Sequence, residues 1–102
     1  MHLIQILLPL YDNDGMPFPQ EEYLRVRDEL TERFGGITTY VRSPAKGLWK
    51  ESPTTTVHDD IVIYEVMTKW LDRDWWRGYR QELAARFRQE VLIVRSSEVQ
   101  LL

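Results

Sequence analysis

The stretch from Val57 to Met67 restricts this chain more than any other. Read alternately, one side carries Ile61 and Ile63 between Asp59 and Glu65, and the other carries Val62, Tyr64 and Val66 beyond His58. Both sides are apolar in the middle, which predicts a strand inside a sheet with material packed on each side. Residues 2–11 behave alike: Ile4, Ile6, Leu8 and Leu10 alternate with Leu3, Gln5, Leu7 and Tyr11, so a second interior strand is expected beside the first.

Two helices are expected around these strands. Pro19 suits a first helical position, Glu21 and Glu22 suit the first turn, and Tyr23, Val26, Leu30 and Phe34 form an apolar stripe. Gly35-Gly36 ends that helix, and a strand over 37–42 follows. A second helix is capped by Asp72 or Asp74 and runs to about Glu90, burying Trp76, Tyr79, Leu83 and Phe87. A fourth strand is expected at 91–94, with 98–102 extending the sheet or reaching a partner. Asp12-Asn13-Asp14-Gly15 has turn chemistry; a calcium loop would need acidic positions that are not in register with it.

The predicted order is strand, helix, strand, strand, helix, strand, in one domain spanning 1–102. This is an α+β, ferredoxin-like βαββαβ sandwich: a four-stranded antiparallel sheet with both helices on one face and the first and third strands central. The other face needs a cover, and a second copy of the chain is the simplest source, so a homodimer is expected.

Composition removes several classes. With no cysteine there is no disulfide, thiolate chemistry or cysteine-held metal. A net charge of −3 argues against nucleic acid as the main partner. The run from Leu3 to Leu10 is too short for a membrane span and lacks a basic lead-in, so a cytoplasmic protein with no membrane partner is expected.

Candidate chemistry lies on the face away from the helices. Gln5, Tyr40, Arg42 and Glu65 share it if it takes odd positions of the first and third strands and even ones of the second. Arg42 is the natural partner for Glu65, a carboxylate among Ile61, Ile63 and Met67. The plainer reading is a surface ion pair, or a Glu65 that reaches solvent. Trp49, in the irregular 43–56 stretch, is expected to fold back onto the sheet or onto a neighbouring subunit. Gln5, Tyr40, Arg42, Trp49 and Glu65 are therefore the ligand-binding candidates, and His58 and Glu65 the catalytic ones.

His58 and Asp60 share a strand face but stand ~7 Å apart, and His2 is the other histidine. A polar start to a buried strand explains them more simply than a metal, and no metal or cofactor is expected. Arg73, Arg77, Arg80, Arg86 and Arg88 make the second helix locally basic, which reads as a solvated face with i, i+4 partners.

The segments Leu7-Leu8-Pro9-Leu10-Tyr11-Asp12, Phe34-Gly35-Gly36-Ile37-Thr38, Gly47-Leu48-Trp49-Lys50 and the Trp76 to Phe87 helix leading into Val91-Leu92-Ile93-Val94 carry a resemblance. Through them the chain resembles a group of small, uncharacterised bacterial proteins with a ferredoxin-like fold. The resemblance implies that fold and a bacterial cytoplasmic setting, and no activity. The architecture is also similar to that of the dimeric α+β barrel proteins, including small monooxygenases and isomerases, which implies a pocket between paired sheets. Two functional readings follow: a homo-oligomeric module binding a small molecule or protein partner on the helix-free face, or a cofactor-independent enzyme. In the second, His58 or Glu65 acts as acid/base and Arg42 or Tyr40 steadies negative charge.

Overall fold

The computed structural model describes residues 1–42 and 61–102, with residues 40–42 described by their backbone alone. Six elements follow in the expected order: β1 (His2–Pro9), α1 (Gln20–Phe34), β2 (Thr38–Arg42), β3 (Ile61–Thr68), α2 (Arg73–Arg86) and β4 (Val94–Glu98). The strands form one antiparallel sheet in the order β2-β3-β1-β4, so β1 and β3 are central as their two-sided apolar character requires. The chain is thus an α+β protein with a four-stranded antiparallel sheet and two helices.

Alternation along the central strands decides which side is the core. Ile4, Ile6 and Leu8 of β1 and Val62, Tyr64 and Val66 of β3 cluster with Val26 and Leu30 of α1 and Trp76, Tyr79 and Leu83 of α2. Both helices therefore cover the even-numbered face. The Tyr64 hydroxyl donates to the Tyr23 carbonyl at 2.8 Å, and the Tyr23 hydroxyl donates to the Pro9 carbonyl at 2.6 Å, tying α1 to both central strands. Burial pushes the Tyr23 phenol up to about 12, with the nearby Tyr64 adding to the shift.

Helix ends follow local chemistry, with two corrections. Pro19 is the residue before α1 rather than its first helical residue, and its side chain makes no cap. Gly35 ends α1 at φ 83°, a conformation a Cβ would strain, and its N–H donates to the Thr31 carbonyl. Of the two expected caps for α2, Asp72 is the one used: its carboxylate accepts the Trp75 N–H at 3.1 Å.

The second correction is that α2 stops at Arg86 and not near Glu90. Arg88 takes φ 50°, its N–H donates to the Ala85 carbonyl, and the Gln89 N–H donates to Ala84, closing the helix with paired reverse hydrogen bonds. A non-glycine residue there is disfavoured. Contacts offset it: the Arg88 guanidinium reaches Asp12 at 3.3 Å and sits over the Phe18 ring.

Strand boundaries also shift. β1 ends at Pro9, which has no N–H to donate, and Tyr11 instead bridges to Pro17. Asp12 accepts the N–H groups of Asp14 and Met16, and Gly15 has φ 78°, so the acidic run is a turn. The fourth strand lies at 94–98 rather than 91–94. Of the apolar run Val91 to Val94 only Leu92 is buried, Val94 is half-buried, and Val91 and Ile93 are exposed. The sheet accepts polar Arg95, Ser96, Ser97 and Glu98 because β4 is an edge strand. Of the expected 98–102 extension, the Val99 N–H pairs with the Met1 carbonyl.

The helix-to-helix contact contains a polar clamp. Arg86, whose side chain is 9% exposed, donates to Glu29 of α1 through both terminal nitrogens and to Glu82 on its own helix. Tyr79 donates its hydroxyl to the same Glu29. Hydrogen bonding from Arg86 holds the Glu29 carboxyl below its usual range despite the opposing effect of burial.

Candidate functional site

Pairing across the sheet places side chains in rows, because directly opposed residues of antiparallel strands share a face. On the helix-free face, Arg95 of β4 is opposite Gln5 of β1, Gln5 is opposite Glu65 of β3, and Glu65 is opposite Thr38 of β2. One polar row thus crosses all four strands.

Hydrogen bonds link three of its members. Arg95 Nε donates to Gln5 Oε1 at 2.8 Å, and Gln5 Nε2 donates to Glu65 Oε1 at 2.6 Å. The two bonds orient the Gln5 amide: its oxygen faces the guanidinium and its nitrogen faces the carboxylate. Glu65 is half-buried, and one of the groups that hold it is a neutral amide that itself leans on a cation.

The flanking rows are apolar. Leu3 is opposite Met67 and Leu7 is opposite Ile63, which is buried. Beside Glu65, a shallow groove of about 430 Å³ is lined by Leu3, Phe34, Ile37, Thr38, Met67 and the glycine pair that closes α1. The C-terminal end of α1 therefore borders it and adds partial negative charge to that of the carboxylate. A carboxylate in a groove of mixed polar and apolar lining, next to a helix C-terminus, suits a ligand with a positive centre and an apolar body.

Among the sequence candidates, Gln5 and Glu65 are in direct contact. Tyr40 and Arg42 are opposite Ile63 and Ile61 at the backbone. Trp49 and His58 lie outside the described residues. Arg95 and Thr38 were not candidates. Strand alternation would have revealed Arg95 only with β4 placed at 94–98, and the apolar Val91 to Val94 run draws the strand to the wrong place. Among the described residues, no group of three His, Asp or Glu side chains is arranged to hold a metal ion. No described helix is long and apolar enough to cross a membrane.

Fold and groove together describe a small α+β protein with one sheet face left open by its helices. Among solved structures the chain is similar to a phage SAM lyase in complex with S-methyl-5'-thioadenosine, with a TM-score of 0.60 and 20% identity over 95% of this chain and 80% of that one. At that identity the likeness is one of fold. No family model matches the chain, and no curated protein matches it.

Proposed function

We propose that the helix-free face around Glu65 binds a small cationic molecule with an apolar body, and that a sulfonium nucleoside such as S-adenosylmethionine is the ligand class. The observation that carries this reading is the Glu65 carboxylate, fixed by Gln5 and Arg95 in a groove of mixed polar and apolar lining at the C-terminus of α1. Apolar walls suit a purine and a thioether, and the carboxylate suits a sulfonium. The similar fold of a SAM lyase supports the same class of ligand.

Calorimetric titration tests it with two ligands that differ in charge. S-adenosylmethionine is expected to bind the wild-type chain, and Glu65→Gln to weaken that binding about 10-fold or more, the loss of one charge-assisted contact. Neutral S-methyl-5'-thioadenosine should bind both proteins alike. Absence of S-adenosylmethionine binding, or equal affinity in the variant, would end the proposal.

The orientation of Glu65 by two linked hydrogen bonds favours a second reading, that the site is an enzyme with Glu65 as acid/base. His58 is the alternative acid/base in this reading, and Arg42 or Tyr40 steadies developing negative charge. With Glu65 as base taking a proton from the carbon next to the one bonded to sulfur, a carbon–carbon double bond forms as the carbon–sulfur bond breaks and its pair stays on sulfur, so S-methyl-5'-thioadenosine and an unsaturated amino acid would accumulate in the same incubation with the wild type and not with Glu65→Gln. A chromatogram unchanged over time leaves a binding module.

A second copy of the chain is proposed to cover this face. Half-buried Leu3 and Leu7, with Met67 at 51% exposure and Ile93 at 49%, give it the apolar material an interface needs. Light scattering should then return twice the chain mass of 12.2 kDa. A stable monomer at micromolar concentration would discard this part.

A further inference from the structure

Of the arginines of α2 and its end, Arg73, Arg77 and Arg88 are exposed and Arg80 and Arg86 are half-buried. Arg86 is taken up by Glu29 and Glu82, and Arg88 by Asp12. Arg73, Arg77 and Arg80, at spacings of four and three, instead line a groove between α2 and β4 on the opposite side of the sheet from Glu65. Its apolar lining is Ile4, Leu71, Trp76 and Val94, and its volume is about 150 Å³. Arg95 reaches its edge, but that guanidinium already donates to Gln5.

We propose that this groove binds a phosphate group, free or carried by a small organic molecule. Three arginines line one concave site in a chain whose net charge is −3, so the local positive potential runs against the global one. Among the described residues, no carboxylate lies within ion-pair distance of Arg73 or Arg80. Arg77 meets Asp74 at 3.6 Å, with both side chains largely exposed, an arrangement that contributes little and yields readily to a stronger anion. Guanidinium forks match phosphate oxygens in pairs. The groove has room for a phosphate and a short substituent. Its apolar lining gives an organic substituent a surface to pack on.

The test is a titration of the full chain at low ionic strength with inorganic phosphate and, separately, phenyl phosphate. It follows backbone amide and arginine Nε–H resonances. Saturable shifts are expected at residues 72–80 and 94–96, lost on adding salt, because the guanidiniums are open to screening. Arg80→Gln and Arg73→Gln should each weaken binding about 10-fold, and Arg25→Gln, on α1, should leave it unchanged. Tighter binding of phenyl phosphate assigns an ester as the ligand, and equal binding assigns free phosphate. Shifts that fail to saturate or spread over all arginines would overturn the site. So would wild-type affinity in Arg73→Gln and Arg80→Gln proteins whose amide spectra show them folded. Neither result bears on S-adenosylmethionine binding at Glu65, which lies on the other face.

Discussion

Replacing Phe87 with alanine is expected to lower the stability of this protein by about 4 kcal/mol, a large share of the roughly 5–15 kcal/mol available to a domain of this size. Phe87 is 0% exposed. Its ring meets Phe18 edge-on at 5.1 Å and Tyr23 at 5.5 Å, so it joins the segment before α1, α1 itself and the end of α2. Deleting it removes a large transfer term and leaves a cavity that three separately anchored elements cannot collapse to fill. Its backbone also closes α2, with its N–H donating to the Leu83 carbonyl, and alanine keeps that bond. The loss is therefore one of packing. Urea unfolding followed by tryptophan fluorescence measures it, and a thermal melt should show Tm lower by roughly 20 °C. A loss below about 1 kcal/mol would mean that the cavity refills, and that the aromatic cluster is not the joint described here.

The second large effect is at Arg86. Arg86→Ala is expected to cost about 2 kcal/mol, less than breaking a fully buried ion pair, because Glu29 is 36% exposed and rehydrates in part. The variant leaves Glu29 with only the Tyr79 hydroxyl from α2. The cost has a pH signature. Because Glu29 is held below its ordinary range in the folded chain, its contribution is fully present above the unfolded-state value. It is lost as pH falls through the depressed folded value. The stability gap between wild type and Arg86→Ala should therefore narrow under acid conditions. Unfolding curves at neutral and acid pH decide the matter: a gap that stays constant would assign the effect to the buried arginine stem rather than to the charge pair.

Where sequence reasoning succeeded, the relevant physics is local. Two-residue alternation marks Ile4, Ile6 and Leu8 and Val62, Tyr64 and Val66 as one face of two adjacent strands, and they form the core. Helical spacing marks Trp76, Tyr79, Leu83 and Phe87, and all four are buried. Gly35 stops α1 because a backbone without Cβ is the least strained at φ 83°. The candidate site was legible in half. Gln5 and Glu65 could be placed together because both belong to strands of strong pattern. Arg95 could not, because an edge strand of Val-Arg-Ser-Ser-Glu composition has no pattern of its own and borrows its conformation from β1.

The sequence by itself determined the order of elements and the two central strands, since hydrophobic periodicity is written residue by residue, and the structure then showed which side of each faces the helices. Tertiary structure alone decided how β4 registers on β1, and with it the Arg95, Gln5 and Glu65 relay. It also divided the arginines of α2 between a clamp to Glu29 and an open groove. Both outcomes depend on which charged groups two distant segments bring within a few ångströms of each other. A charged side chain carries no mark in sequence of the partner it will meet, because its pairing energy exists only after the apolar faces have packed.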